Sequence, residues 1–563
     1  MSESPTAIAE NRTTSSAARL GWALLIFATL YVCYFSHLGA IGFVGPDEPR
    51  YAWIARDMAE TGDWVTPRLY GKPWFEKPPL FYWGAALSFK YLGVSEASAR
   101  LPSAISALLA TLVLAWLAWR LFGAETARWL LLLLPTSVGM IGFSHAAATD
   151  MPFSGMLTIA MVCAAVVLGL TRNENTPILP RTPWLALLLF GFFLGLAVLA
   201  KGPAAIILSG GAVFFWALFT KHWRDAFRLI HPVALVSFCA TALPWYILCA
   251  HRNPDFFRIF IIEHNFKRFL TPEFQHIQPF WYYLPIVLIA LVPWTFWFLW
   301  NAMSGAIKFY RTRQMGEADW LLICWPVFTI LFFTISKSKL PGYILPALPP
   351  IVLLAAQKTK TWFAQPRFAR WPIFLEAVVV ISLFPLAVYF DALVPTTEDL
   401  RPSAIVTLFS MLALVGGITG AALAFSRRLG AATIALVITF VTFLGVGGYA
   451  LGSSDAVISA RLSVETALGH LTAEQAAGAT TFKLRRAYKY QVDFYLHRET
   501  EEWSPAFPKH SIIFTDRGNF RELEALGARC GPYPRYPAAV RICESSKGDP
   551  ILMHGPAGSG QPQ

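Results

Sequence analysis

The sequence predicts a polytopic α-helical membrane protein that ends in a soluble α/β unit. Three observations predict it. Hydrophobic residues make up 55% of the 563 and charged residues only 14%. Apolar stretches of spanning length recur from Arg19 to about Gly452. Beyond Gly452 the chain turns polar and loses long apolar runs.

A helix crosses a bilayer with roughly 20 apolar residues and seldom with fewer than about 17. By that measure spans fall near residues 20–38, 100–120, 126–143, 151–170, 184–200, 203–219, 229–250, 281–301, 319–336, 342–356, 373–391, 402–425 and 431–451. That is about thirteen helices. The first run is too long for a removed signal and lacks a small-residue cleavage site, so it reads as a permanent helix. LFYWGAALSFKYLG, Leu80 to Gly93, is too short to cross and is placed in the interface. Alternate loops then carry Arg120 and Arg128; Arg172 and Arg181; Lys221, Arg224 and Arg228; Lys308, Arg311 and Arg313; Lys358, Lys360, Arg367 and Arg370; and Arg427 with Arg428. Positive charge beside helix ends marks the cytoplasmic face. The N-terminus is therefore inside, and everything after residue 451 is outside, which in a bacterium is the periplasm. Two domains follow, 1–451 in the membrane and 452–563 soluble. The net charge of +12 is thereby explained by orientation, not nucleic-acid binding, and no Gly-rich nucleotide loop is found.

In the tail, a helix is expected near Ser459 to Leu471 and strands at Tyr488–Tyr495 and Ser511–Thr515, where side chains alternate in character. The final GPAGSGQPQ is a disordered extension by composition. Cys33, Cys163, Cys239, Cys249 and Cys324 lie in apolar segments, as small core residues. Cys530 and Cys543 lie in the polar tail, where an oxidising compartment permits a disulfide.

The chemistry collects in the outer loops. The loop from Gly39 to Ala99 holds six basic and seven acidic residues, so its arginines are not an orientation signal. Asp47, in PDEPRYA, begins an amphipathic interfacial helix, where the helix dipole also favours a carboxylate. Asp150, in TDMPF, stands at a second helix start on the same side, and two carboxylates so placed can build a site at the bilayer surface. Glu76 and Lys77 sit among Trp74, Phe75, Phe81, Tyr82 and Trp83, where an ammonium can meet a phosphate and the rings a lipid or sugar. Lys201 ends the fifth span; Arg258 and Arg268 lie in the loop from Arg252 to Pro285; Lys337, Lys339 and Tyr343 lie in SKSKLPGYILP. Positive charge on the outer face, repeated over several loops, points to an anionic ligand such as a lipid phosphate. Glu76, His264, His276, Asp47 and Asp150 offer metal-ligand atoms, but no His-x-x-x-His spacing sets two on one helix face. A transporter or flippase would instead concentrate charge near the bilayer midplane on broken helices.

The ordered motifs PDEPRYA, GKPWFEKPPLFYW, RLPSA, TDMPF, AKGP, EHNFKRF and SKSKLPGYILP resemble those of the bacterial lipid A aminoarabinose transferases, over residues 20 to 356. These belong to the protein mannosyltransferase-like branch of the C-type glycosyltransferase fold. The resemblance implies that 4-amino-4-deoxy-L-arabinose or a related sugar passes from undecaprenyl phosphate to a lipid A phosphate, with inversion at C1. It implies Asp47 as the main catalytic carboxylate with Asp150 as partner. Glu76 and Lys77 would line the donor site, and Lys201, Arg258, Arg268 and Tyr343, with Lys339 nearby, would hold the donor phosphate. No cofactor is required by it; a divalent metal such as zinc, if bound, would sit on Glu76 and His264. The same fold also serves protein O-mannosyltransferases and other lipopolysaccharide glycosyltransferases, which differ in the acceptor.

Overall fold

A computed structural model describes residues 16–171, 183–267, 277–364, 366–393, 403–453, 455–505, 512–516, 518–530 and 540–545. Its described residues up to Ser453 are mostly helical, as a lipid environment requires of spanning segments, since only helices and closed barrels satisfy every backbone group without water. Among the described residues, eight helices are long and apolar enough to cross a membrane: Ser16–Tyr34, Glu96–Phe122, Asp150–Val167, Trp184–Lys201, Pro232–Arg252, Glu317–Ile335, Phe368–Leu386 and Leu429–Gly448. Two further apolar stretches are bent helix pairs, each a broken span or a re-entrant loop. Ala124–Leu133 and Val138–Ser144 meet at 63°, and Tyr283–Ala290 and Thr295–Thr312 at 115°. Pro135 and Pro293 stand in these breaks, each removing a backbone donor from the helical ladder. Continuous spans expected at 126–143 and 281–301 are therefore corrected to bent pairs; the protein crosses the membrane several times, and among the described residues eight to ten stretches suit a crossing by length and apolarity. Ala204–Thr220 is shorter, and apolar as well. Leu80–Leu92 is a helix of 13 residues.

The loop after the first span folds as a helix, Asp47–Thr61, then a hairpin of β1 (Arg68–Leu69) and β2 (Lys72–Pro73), then the Leu80–Leu92 helix. Its anchor is a buried ion pair. Glu48, one residue into the Asp47–Thr61 helix, meets Arg100 through two contacts, Nε–Oε1 at 3.0 Å and Nη2–Oε2 at 2.8 Å. Arg100 also donates to the carbonyls of Leu38, Ile41 and Gly42, and Glu48 accepts from the backbone N–H of Val44 and Ala147. Two charges withdrawn from water are tolerated only when their remaining hydrogen-bonding positions are filled in this way.

The C-terminal unit has a four-stranded sheet in the order β3-β4-β6-β5, made of β3 (Thr480–Phe482), β4 (Ile512–Asp516), β5 (Arg529–Cys530) and β6 (Val540–Glu544). β3 runs parallel to β4, and the other pairs are antiparallel. Cys530 and Cys543 are register partners on β5 and β6 and form a disulfide. The remaining cysteines are free, and Cys239 is exposed where a core position was expected. The helix expected at Ser459–Leu471 is present as Arg461–Leu468. The strand expected at Tyr488–Tyr495 is instead a helix, Arg486–Leu496. Its alternation misleads because both faces are covered: Val492 packs in the core above the sheet, while Phe494 packs with Phe43 and Tyr51 from the segment after the first span. The extension from 555 to 563 lies outside the described residues.

The unit is fastened to the bundle by polar contacts. Tyr495 donates to Glu96 at 2.6 Å, Tyr70 donates to Asp493 at 2.7 Å, and Arg461 bridges Asp455 and Glu96 while donating to the carbonyls of Gly39 and Ala40.

Arg100→Met should lower stability by about 3–5 kcal/mol, because it strands a buried carboxylate; a thermal midpoint equal to wild type in detergent would reject the anchor. Denatured protein should take up five maleimide labels before reduction and seven after it. Seven labels without reduction would show that Cys530 and Cys543 are not bonded.

Candidate active site

Asp47 and Glu48 begin the same helix but point to different environments. Glu48 is buried, whereas the Asp47 side chain is 52% exposed. Pro46, at the N-cap, makes no side-chain capping bond, and the Asp47 carboxylate engages Arg50 at 2.5 Å instead of the backbone. Arg50 is only 4% exposed and reaches Glu76 at 3.1 Å with the same nitrogen, Nη2. Glu76 also faces Lys77 at 3.6 Å. Trp74, Tyr51 and Tyr490 surround the Arg50 guanidinium at 5.3–5.7 Å from their ring centres. Burial opposes the charge on Arg50, but Glu76, Tyr51 and Asp47 outweigh it and hold its pKa above the usual range. The result is an acid–base–acid bridge, Asp47–Arg50–Glu76, with a second cation at its edge.

A second cluster forms at Asp150, the first residue of the Asp150–Val167 helix. Lys201 closes the Trp184–Lys201 helix, and its ammonium lies 2.5 Å from Asp150 Oδ1 and 4.6 Å from the centre of the Tyr343 ring. Gly202 turns the chain away with φ +92°, a left-handed conformation open to glycine. Gly342 is needed for a different reason: a Cβ there would overlap the Asp150 carboxylate. The SKSKLPGYILP loop thus lies directly on Asp150.

The two clusters occupy the same end of the bundle. Glu48, next to Asp47, accepts the N–H of Ala147, three residues before Asp150, at 2.6 Å. Ser103 tightens the same junction by donating to the carbonyl of Ala146 at 2.7 Å. Sequence reading singled out Asp47, Asp150, Glu76, Lys77, Lys201 and Tyr343 but missed Arg50, Glu48 and Arg100. The available signal was the acidic excess of the loop after the first span, whose buried carboxylates need guanidinium partners.

Other expected residues are placed differently. Lys339 donates to the carbonyls of Ser336 at 2.7 Å and Gln278 at 3.2 Å, joining two loops. Burial, reinforced by Lys337, lowers its pKa. Arg258 is exposed and paired with Asp255 and Glu263. Arg268 and His276 lie outside the described residues. A metal on Glu76 and His264 finds little support: among the described residues no group of three or more His, Cys, Asp or Glu could hold one, and Arg50 and Lys77 place positive charge on Glu76 where a cation would sit.

A family model described as dolichyl-phosphate-mannose-protein mannosyltransferase matches residues 20–260. The chain is 34% identical over 339 residues to the undecaprenyl phosphate-α-4-amino-4-deoxy-L-arabinose arabinosyl transferase of Edwardsiella ictaluri, covering 60% of this chain and 59% of that one. It is 30% identical over 384 residues to the protein of the same name from Enterobacter sp., covering 66% and 67% respectively. The matched region thus spans about three fifths to two thirds of these relatives. The crystal structure of ArnT from Cupriavidus metallidurans bound to undecaprenyl phosphate superposes with a TM-score of 0.73 at 23% identity, over 95% of this chain and 99% of that one. Fold and charge clusters together define a multi-pass membrane protein with the architecture of the C-type glycosyltransferases. Within that class, the chain belongs to the undecaprenyl phosphate-α-4-amino-4-deoxy-L-arabinose arabinosyl transferase family.

Asp150 and Lys201 should behave as one unit in whatever turnover this site supports. Asp150→Asn and Lys201→Met should each reduce turnover by about 10²-fold, and the double variant should be no worse than the poorer single one. Multiplying losses would show that the two act separately.

Proposed function

We propose that the protein is an integral-membrane glycosyltransferase that moves 4-amino-4-deoxy-L-arabinose, or a related sugar, from undecaprenyl phosphate to a phosphate of lipid A. The reaction takes place on the periplasmic side of the bacterial inner membrane, with inversion at C1. The observation that carries the reading is the convergence of two carboxylates, each already paired with a cation, at one end of the bundle. The relatives' names and the undecaprenyl phosphate in the Cupriavidus protein support the choice of donor. The soluble unit, divided from the membrane part near residue 451, is assigned to the same side as the site.

In this reaction an acceptor phosphate oxygen forms a bond to C1, the bond from C1 to the donor phosphate oxygen breaks, and its electron pair leaves with undecaprenyl phosphate. A phosphate monoester is mostly ionised near neutral pH, its second pKa being about 6, so no strong base is needed. Asp47, half exposed and steered by Arg50, is suited to accept hydrogen bonds from the sugar and to oppose positive charge growing at C1. Lys201 has three N–H groups, and Asp150 engages one of them, which leaves donors for the departing phosphate. Lys77 adds a second point charge. Such fixed charges count most where water is scarce. The Tyr343 ring beside Lys201 helps to keep it so.

The test offers purified protein several polyprenyl-phosphate sugars together with lipid A and identifies the product by mass spectrometry. Asp47→Asn should lose at least about 10²-fold in transfer while still binding undecaprenyl phosphate. Undiminished turnover in that variant would remove Asp47 from the chemistry, and a product found only on peptide would overturn the lipid A assignment.

A further inference from the structure

A cleft of about 620 Å³ opens where the outer-loop hairpin meets the C-terminal unit. This lies within the size range of small-ligand sites, roughly 300–1,000 Å³. Tyr70, Lys72 and Trp74 form one wall, Arg486, Lys489 and Tyr490 the other, and Glu499 closes the edge. Both walls belong to outer-loop or soluble segments, so the cleft suits a polar headgroup and not an acyl chain.

Its chemistry is cationic and aromatic. Lys489 is neutralised by Asp493 at 3.0 Å and donates to Thr500 O at 2.8 Å. Lys72 and Arg486 are exposed and make no ion pair among the described residues, leaving two positive charges against the one carboxylate of Glu499. Arg486 stacks 5.5 Å from the Tyr490 ring centre, which fixes its approach. Aromatic faces beside guanidinium and ammonium groups form a surface for a phosphorylated sugar: rings cover its apolar C–H face, and cations meet its phosphate.

The cleft is also next to the chemistry. Trp74 and Tyr490, which line it, are the rings that pack on Arg50 at 5.3 and 5.7 Å, and Arg50 holds Asp47. The Nε of Arg50 is buried without a hydrogen-bond partner among the described residues, so one more donor is present behind those rings. The two walls are locked together by Tyr70, which donates to Asp493 of the Arg486–Leu496 helix.

We propose that this cleft seats the phosphorylated saccharide headgroup of the acceptor, with Lys72 and Arg486 on a phosphate and Tyr70, Trp74 and Tyr490 against a sugar ring. The C-terminal unit then supplies half of the acceptor site. This rests on the transferase reading given above.

The experiment uses full-length protein in lipid nanodiscs. Binding is measured with a deacylated bisphosphorylated glucosamine disaccharide, with the same disaccharide lacking phosphates, and with inorganic phosphate alone, and kinetics are measured with lipid A. The bisphosphorylated probe should bind at least about tenfold tighter than either control, the gain expected of charge-assisted contacts. Lys72→Ala/Arg486→Ala should lose that advantage and raise the acceptor KM about tenfold with the donor KM unchanged. Both residues are exposed, so the thermal midpoint should match wild type. Equal binding of the probe by variant and wild type, a rise confined to the donor KM, or inorganic phosphate binding as tightly as the disaccharide would overturn the proposal. If wild type binds the probe through Lys72 and Arg486 yet transfers no sugar to lipid A, the transferase reading fails and the cleft stands. If wild type transfers and the variant keeps its acceptor KM, the cleft alone fails.

Discussion

The arrangement depends on one buried ion pair, Glu48 with Arg100. A carboxylate and a guanidinium removed from water impose a demand that only a complete set of partners satisfies. Here that set is drawn from four places: the segment after the first span, the start of the Asp47–Thr61 helix, the start of the Glu96–Phe122 helix and the turn before Asp150. Meeting the demand fixes where two other helices begin. Asp47 and Asp150 therefore take their positions from neighbours that never face the site.

Around that anchor, charges are kept in pairs. Asp47 and Glu76 share Arg50, and Asp150 holds Lys201. Each pair lowers the cost of keeping charges at the edge of a low-dielectric bundle, and each leaves hydrogen-bonding capacity unfilled. A lysine with one carboxylate partner still has two N–H groups for an incoming anion. The Arg486–Leu496 helix extends the same logic to the C-terminal unit, since its Tyr490 covers Arg50 while its Asp493 anchors Tyr70.

How much was legible in the sequence varied with the physics involved. Apolar length located the helices, but it could not see the bends at Pro135 and Pro293, because composition carries no direction. Tyr488–Tyr495 misled through its alternation, since a helix buried on two faces by different partners imitates a strand. The positions of Asp47, Glu76, Lys77, Asp150, Lys201 and Tyr343 could be picked out, because charge at an apolar helix end is rare enough to notice. Arg258 and Lys339 carry the same signal, and their partners are an exposed ion-pair cluster for one and two backbone carbonyls for the other.

By itself, the sequence determined that the chain lives in a bilayer as helices and that its reactive groups collect in the loops, because hydrocarbon tolerates neither open backbone nor bare charge. Which groups meet was decided only in three dimensions. Arg50 with Glu76, Arg100 with Glu48 and Lys201 with Asp150 are each separated by 26 to 52 residues of chain, and nothing local favours one partner over another. Packing and the need to satisfy buried charge select among them once the helices have assembled.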